Sequence, residues 1–193
     1  MAWDLVDFMV FLLIHRGIHC TILSNTDNGG RKGRPQVNSD QFEEKQRLAE
    51  AVVKSMFELD KTAHAMGIMI NDVRPGYVQA SMTVREDMLN FHGTCHGGMI
   101  FVLADAVFGY ACNSENRATV ALSCTINYAQ AANLGDELTA TGQRNFRNSR
   151  TGVYDIDVTR KDGTVVCTFR GGSYQVKGES FPGLNERLGI VAG

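Results

Sequence analysis

The sequence lacks the features that mark secreted and membrane-spanning proteins. Its 193 residues contain no N-x-S/T glycosylation sequon, and the five cysteines include no C-x-x-C pair. Free thiols of this kind favour a reducing compartment, so a cytoplasmic location is expected. The apolar run at 8–14 is far shorter than the ~20 residues that span a bilayer. Asp4 and Asp7 precede this run, where a signal peptide carries positive charge, so no membrane association is expected.

An excess of positive charge is also missing. The chain has 19 Lys and Arg against 21 Asp and Glu, which gives a formal net charge of −2. Nucleic-acid-binding domains usually carry a clear basic surplus, so no nucleic-acid partner is expected. A small polyanionic ligand remains compatible with this balance, because a few local basic groups would suffice to bind it.

Three motifs of common enzyme classes do not occur either. The sequence has no G-x-S-x-G nucleophile elbow, no Walker A motif and no G-x-G-x-x-G fingerprint. The serine α/β-hydrolase, P-loop and dinucleotide-binding classes are therefore not indicated.

The first part of the chain does not resemble the rest. A polar stretch at 24–40, rich in Gly, Asn and Ser, follows the apolar run and has the composition of a linker. We expect 1–39 to be an extension outside the fold, and one hypothesis places the true start at Val37, encoded by a GTG codon. A genuine amphipathic anchor is the alternative. The folded domain is expected at 40–178, followed by a Gly-rich flexible tail at 179–193.

Hydrophobic periodicity predicts an α+β domain. The stretch at 97–113 is apolar on all sides and long enough for a helix, which is typical of a buried helix. Alternating residues and Asp-Gly turns predict the strands of an antiparallel sheet. The predicted elements, in order, are a helix at 41–59, strands at 66–71 and 77–85, a helix at 97–113, and strands at 118–129, 135–147, 151–161 and 164–177. This order favours a sheet that wraps round one central helix.

The residues that carry chemistry lie where the buried helix begins. Paired glycines, Gly97 and Gly98, allow close approach of a ligand, and free N–H groups at a helix start attract negative charge. These amides could hold a carbonyl oxygen as it becomes an oxyanion. Asp105 lies two turns into the helix, where partial burial would raise its pKa and its basicity. The residues alone leave open whether Asp105 is catalytic or a hydrogen-bonded structural carboxylate.

Longer segments carry a specific resemblance. The stretch HGTCHGGMIFVLADAVFGYACNS, with TGVYDIDV and FRGGSYQVKG downstream, resembles the PaaI-type acyl-CoA thioesterases of phenylacetate degradation. The likeness covers roughly 40–178. It implies a hotdog fold, in which an antiparallel sheet wraps a central helix. It also implies hydrolysis of phenylacetyl-CoA, or of a ring-hydroxylated relative, to the free acid and coenzyme A.

The resemblance assigns roles to five residues. Asp105 takes the position of the family's nucleophile or general base, and Gly97 supplies the amide that polarises the thioester carbonyl. His96 is the motif histidine beside that amide. Asn90 precedes the motif and helps to position the site. Ser123, eighteen residues after the carboxylate, matches a residue that orients water in related enzymes.

Contacts to the substrate are expected from a second group of residues. Under the resemblance, the guanidinium groups near the 148–151 turn and one lysine could bind the phosphates of coenzyme A, since Arg suits phosphate recognition. Phenylalanines could line the acyl pocket, although such residues are usually core. The predicted substrate-binding residues are Gly98, Phe91, Arg147, Arg150 and Lys177, with Phe101 and Phe108 as further pocket candidates.

The same resemblance implies a homodimer whose active site combines Asp105 of one subunit with Gly97 of the other, and a tetramer made of two dimers. No cofactor is expected. His92, Cys95 and His96 are too few to complete a zinc site, so no metal is expected either. Cys95 is also a weak candidate for a nucleophile, because no activating Cys–His pair is evident.

Two alternative functions stay open. A hotdog enoyl-CoA hydratase usually has a His four or five residues after the Asp, and those positions here hold Gly109 and Tyr110. A non-catalytic module that binds or senses acyl-CoA is harder to distinguish by sequence. Release of free coenzyme A is the property that separates the enzyme from the sensor.

Overall fold

The computed structural model describes residues 39–190. The predicted extension, apart from Ser39, lies outside these residues. The helices are α1 (Ser39–Leu59), α2 (Lys61–Met66), α3 (Gly97–Asn113) and α4 (Leu184–Arg187), with a 3₁₀ turn at Glu86–Met88. The strands are β1 (Met69–Arg74), β2 (Tyr77–Thr83), β3 (Thr119–Tyr128), β4 (Glu137–Arg147), β5 (Thr151–Arg160) and β6 (Val165–Gln175). Of the helices in this part of the chain, none has the length and apolarity needed to cross a membrane.

All six strands belong to one antiparallel sheet. Their order is β1-β2-β4-β5-β6-β3, so β1 and β3 form the two edges. Helix α3 packs against five of the strands, from β2 to β6. The predicted α+β hotdog architecture is therefore confirmed.

The alternation in β2 shows how the sequence determines the inner face of the sheet. Val78, Ala80 and Met82 are buried towards α3, whereas Gln79 and Ser81 between them are partly exposed. Because side chains alternate along a strand, one face of β2 joins the core and the other meets solvent. This alternation was read correctly from the sequence.

Helix α3 has the predicted bounds, and its burial follows from its composition. Ile100, Leu103, Val107 and Phe108 are each no more than 3% exposed. A helix with this many apolar faces is stable only when other elements cover it on several sides. The curved sheet supplies that cover, and Asp105 is the only charged residue within the helix.

The strand predicted at 66–71 begins three residues late because a short helix precedes it. The Asp60 side chain accepts a hydrogen bond from the Ala63 amide at 2.9 Å, which caps the start of α2. Gly67, with φ of 70°, ends it in the left-handed conformation that favours glycine. These capping groups act over one turn, too short a stretch for hydrophobic periodicity to detect.

The end of the chain differs from the expected flexible tail. Within 179–190, Leu184 is only 7% exposed and packs against Leu48 and Val52 of α1. Asn116 holds the segment through hydrogen bonds to Phe181 and Asn185. The glycines that suggested a loose tail instead bracket a short helix, so the packed domain extends beyond 178.

Gly171 makes a close contact between the sheet and α3. A Cβ atom at this position would lie 2.6 Å from the ring of Phe108, which is itself 1% exposed. The next residue, Gly172, faces the other side of β6, where the nearest atom to an added Cβ would be the Ser123 hydroxyl, at 2.6 Å. Glycine at 171 therefore allows the aromatic side chain of α3 to press onto the strand.

We predict that Gly171→Ala destabilises the protein by about 1–3 kcal/mol, because the added methyl overpacks the contact with Phe108. Urea denaturation measures this free energy of unfolding. Gly172→Ala is the matched control, since the Ser123 side chain can rotate away at little cost. Equal stability of the two variants would contradict the proposed packing role.

Candidate active site

The loop that precedes α3 is organised by Asn90. Its side-chain oxygen accepts hydrogen bonds from the His92 amide at 2.9 Å and from the Thr94 amide at 3.3 Å. The side-chain nitrogen donates to the Thr94 hydroxyl at 3.1 Å. Asn90 was predicted to help position the site, and the structure places its amide group inside the loop, holding the loop's shape.

The same loop is tied to its neighbours at its end. The Cys95 amide donates to the Ala132 carbonyl at 2.8 Å, and the His96 amide donates to the Met88 carbonyl at 2.8 Å. Cys95 itself is buried, and burial raises the pKa of its thiol. A protonated, inaccessible thiol is a poor nucleophile, so the structure gives Cys95 an anchoring place in the loop.

His96 is the N-cap of α3. Its Nδ1 atom accepts a hydrogen bond from the Gly98 amide at 2.9 Å, which requires that nitrogen to be unprotonated. Gly98 was predicted to contact substrate, but in the structure its N–H is used by the cap. Among residues 39–190, no acceptor lies within hydrogen-bond range of the Gly97 N–H. One amide is thus left free at the positive end of the helix.

Asp105 lies half-buried on α3, facing the edge strand β3. Burial raises the pKa of its carboxyl, and the Cys124 thiol, 3.9 Å from Oδ1, acts in the opposite direction. A carboxylate that is poorly solvated but still accessible is a stronger base and a better nucleophile than one in water. Cys124 was not predicted, because a thiol on a strand carries no sequence signal for such a contact.

Ser123, predicted to orient water, does not reach Asp105 within the subunit. It pairs with Gly172 on the outer face of the sheet, whereas Cys124 pairs with Gly171 on the face that contacts α3. An irregularity in β3 between Ala121 and Ser123 sets this register. Because neighbouring side chains point to opposite faces, the thiol and not the hydroxyl meets the carboxylate.

The two central groups of the site are far apart in one subunit. Eight residues separate Gly97 from Asp105, which is about 12 Å along an α-helix. A reacting carbonyl must lie about 3 Å from both its hydrogen-bond donor and its catalytic group. The free amide and the carboxylate of the same subunit therefore cannot act on one thioester.

Comparison with known proteins identifies the family. The Thioesterase superfamily profile matches residues 92–167. The acyl-coenzyme A thioesterase PaaI of Escherichia coli is 44% identical over 124 residues, which are 64% of this chain and 89% of that protein. This chain is a PaaI-type member of the thioesterase superfamily. Membership makes it a thioester hydrolase.

Solved structures show the same relationship. The E. coli PaaI protein, from the phenylacetic acid degradation operon, superposes with a TM-score of 0.69 at 42% identity, over 69% of this chain and 97% of that one. A hypothetical thioesterase of Streptococcus pneumoniae, solved with coenzyme A, has a TM-score of 0.56 at 32% identity, over 58% of this chain and 88% of the other. The hotdog fold of the PaaI-type family is thus shown by structure as well as by sequence.

The basic residues predicted to bind phosphate in this PaaI-type protein lie at the far end of α3 from Gly97. Arg147 is paired with Glu115, which also binds Arg144 at 2.5 Å. Arg150 lies 3.4 Å from the Tyr174 hydroxyl. None of the ion pairs within residues 39–190 includes Arg150. Because Arg147 is already paired with Glu115, its guanidinium is less available to an anion than that of Arg150.

The three phenylalanines predicted to contact the substrate differ in their exposure. Phe108 is 1% exposed and packs against Tyr154 and Phe169, so it is core and does not line an acyl pocket. Phe101 is half-buried against the same Phe169 ring. Phe91, by contrast, is 92% exposed in the loop that precedes α3. Of the three, Phe91 is the one free to meet a ligand or another subunit.

In the part of the chain that the structure describes, no three His, Cys, Asp or Glu residues lie close enough to hold a metal ion. His92 stacks on Phe91 with ring centroids 3.7 Å apart, and His96 is used as a helix cap. Both histidines of the loop therefore have partners within the protein.

The raised pKa of Asp105 predicts a stability effect. Because the folded state favours the protonated carboxyl, stability falls as pH rises through the raised pKa, and at neutral pH the ionised group destabilises the fold. Asp105→Asn should therefore raise Tm at pH 7 by at least ~2 °C. The gain should shrink in acid, where wild-type Asp105 is protonated.

Thermal unfolding across pH measures this effect. Asp72→Asn is the control, because Asp72 is a partly exposed β1 residue whose one ion pair among residues 39–190 is with Arg74, and its replacement should change Tm little. An unchanged or lower Tm for Asp105→Asn at pH 7 would mean that the ionised carboxylate does not destabilise the folded protein.

Proposed function

We propose that this PaaI-type thioester hydrolase cleaves arylacetyl-CoA thioesters, with phenylacetyl-CoA or a ring-hydroxylated derivative as substrate. The single observation that carries the chemistry is Asp105, a half-buried carboxylate of raised pKa on the face of α3 next to an open sheet edge. The arylacetyl group is supported by the E. coli relative, whose gene belongs to a phenylacetic acid degradation operon. A role in phenylacetate catabolism is part of the proposal.

The proposed active site is shared between two subunits. Strand β3 is a ten-residue edge with large apolar side chains in solvent: Val120 is 50% exposed and Leu122 is 66% exposed. Such an edge is suited to pair with another strand. Antiparallel pairing of two β3 strands about a two-fold axis would set the two α3 helices side by side in opposite directions. Asp105 of one subunit would then lie near Gly97 of the partner subunit.

The proposed reaction uses both groups on one carbonyl. The partner's Gly97 N–H donates to the thioester oxygen and stabilises the negative charge that develops there. Asp105 either attacks the carbonyl carbon, forming a mixed anhydride that water then hydrolyses, or removes a proton from the attacking water. In both routes the C–S bond breaks, the sulfur of coenzyme A takes up a proton, and the free acid is released.

The exposure of several other side chains supports their proposed contacts with the substrate. Arg150 and Lys177, both exposed, would contact the phosphates of coenzyme A, with Arg147 as a weaker contact. Phe91 would contact the acyl group or the partner subunit from its loop. Association of two dimers into a tetramer and a cytoplasmic location complete the proposal, the latter supported by the free Cys95, Cys112, Cys124 and Cys167.

The alternative functions are less well supported. A hydratase would place a His near Asp105, whereas Gly109 and the buried Tyr110, which donates to Asp60 at 2.7 Å, occupy the relevant turn. A sensor would not need a carboxylate held at raised pKa beside a binding edge. An assay of thiol release from phenylacetyl-CoA and a panel of other acyl-CoAs distinguishes these functions, since a sensor binds without releasing coenzyme A.

We predict that Asp105→Asn lowers kcat for phenylacetyl-CoA by at least ~10³-fold, because it removes the reacting group while keeping its shape. The wild-type enzyme should lose activity in acid as Asp105 becomes protonated, at a pH above the ordinary range of an aspartate, because burial raises its pKa. Asp72→Asn should keep wild-type kcat. Activity of Asp105→Asn within tenfold of wild type would refute the assignment.

A mixing experiment tests the shared site. Gly97→Pro removes the free N–H at the first helical position, where proline is tolerated, and should be inactive. Gly97→Ala separates loss of the N–H from addition of a Cβ: it keeps the N–H, although its Cβ would lie 3.1 Å from the Tyr128 ring, so it should be less impaired than Gly97→Pro. Equal amounts of Asp105→Asn and Gly97→Pro, unfolded and refolded together, should recover about a quarter of wild-type activity, because half the dimers are mixed and each has one intact site. A mixture that stays inactive, although the mixed dimers form, would place each site within one subunit.

A further inference from the structure

We propose that Tyr128 is a positioning residue for thioester hydrolysis, which fixes the first turn of α3 so that the Gly97 N–H points at the substrate carbonyl. The inference rests on the proposed function, in which that amide is the oxyanion donor. Tyr128 ends strand β3, and nothing in the sequence motif around Gly97 indicates it, since 31 residues separate the two.

The contact between Tyr128 and Gly97 is both polar and steric. The Tyr128 hydroxyl donates a hydrogen bond to the Gly97 carbonyl at 2.8 Å. A Cβ on Gly97 would lie 3.1 Å from the ring carbon that bears the hydroxyl. The ring therefore rests directly on the Gly97 backbone, and glycine at this position is explained by the tyrosine as well as by the approach of a ligand.

This hydrogen bond completes the restraint of a flexible dipeptide. The peptide between Gly97 and Gly98 is held at its N–H by His96 Nδ1 and at its C=O by Tyr128. The preceding peptide is held at its C=O, since the His96 carbonyl accepts from the Met99 amide at 2.9 Å. Two adjacent glycines have wide backbone freedom, and the first turn of a helix lacks internal partners for its amides. Without the tyrosine, one of these restraints would be missing.

Strand β3 is a suitable base for this role. Tyr128 pairs with Cys167 of β6, so its backbone belongs to the sheet. Four residues earlier on the same strand, Cys124 contacts Asp105. One strand therefore contacts both the Gly97 carbonyl and the Asp105 carboxylate of α3, and it is also the edge proposed to meet the partner subunit. A shift of Tyr128 would misdirect the donor without changing the groups that bind coenzyme A.

The test is Tyr128→Phe, which keeps the ring and removes the hydroxyl. With phenylacetyl-CoA, kcat should fall about tenfold, with KM within about twofold of wild type, because a poorly aimed donor weakens transition-state binding more than substrate binding. Tyr128→Leu, which also loses the ring, should lose more. Tyr77→Phe, on β2 and far from β3 in the sheet, is the matched control and should keep wild-type kcat.

A second measurement does not depend on turnover. Hydrogen exchange of the Gly98 amide, followed by NMR in the full-length protein, should be at least about tenfold faster in Tyr128→Phe than in wild type and unchanged in Tyr77→Phe. Wild-type kcat in Tyr128→Phe, unchanged exchange at Gly98, or an equal loss in Tyr77→Phe would each overturn the positioning role.

The outcomes separate this inference from the function on which it rests. If Asp105→Asn is inactive and Tyr128→Phe is not impaired, the positioning role is wrong and the thioesterase proposal stands. If the wild-type protein releases no coenzyme A from any acyl-CoA tested, the proposed function is wrong and the positioning role falls with it, even where Gly98 exchange changes.

Discussion

The structure depends on the burial of one apolar helix that still carries a charge. Helix α3 is stable only because the sheet curves round it, and Gly142 and Gly171 give the close approach that this requires. The exception is the face that bears Asp105, which lies against the edge strand β3 and is only half-covered. The same incomplete burial raises the pKa of the carboxyl and leaves it accessible. The candidate site therefore lies where the packing around α3 is incomplete.

The helix geometry then constrains the assembly. An amide at the first turn and a carboxylate two turns later are about 12 Å apart on any straight α-helix. No adjustment of side chains brings them to one carbonyl, so in the proposed function a second helix of opposite direction supplies the missing group. The open edge of β3, with Val120 and Leu122 in solvent, provides the surface on which such a partner could align. In this proposal catalysis requires association, because the distance along α3 keeps the amide and the carboxylate of one subunit apart.

Much of the fold could be predicted because its elements are long and strongly periodic. The bounds of α3 and the inner face of β2 follow directly from the pattern of apolar residues. Helix α2 was not predicted, because it depends on a cap at Asp60 and a left-handed Gly67 that act over one turn. The order at 179–190 was not predicted either, since it depends on Asn116, a residue distant in sequence that bonds across to Phe181 and Asn185. Long-range polar contacts of this kind leave no local periodicity.

The candidate site shows the same division. Gly97, His96 and Asp105 lie in one continuous segment, and their spacing along a helix could be predicted from the sequence. Cys124 and Tyr128 lie on β3, and their contacts with α3 depend on the register of that strand. An irregularity before Ser123 decides which side chain faces the helix, and a shift of one residue exchanges a hydroxyl for a thiol. The resemblance therefore indicated helix residues that lie at the start and middle of α3, whereas Ser123, the residue it indicated on the strand, does not face Asp105 within the subunit.

The helix start also shows how the protein selects one donor. Four amides at the start of any α-helix lack internal partners, and all of them could attract an anion. Here the His96 side chain occupies the Gly98 amide, and the His96 carbonyl is used by Met99 and Ile100. Within residues 39–190 the Gly97 amide has no acceptor, and the Tyr128 ring lies against its backbone. A single donor of fixed direction can distinguish a developing oxyanion from a neutral carbonyl, because its hydrogen bond strengthens as charge forms at one defined point. Several loosely held donors would bind the resting substrate as well and lose that distinction.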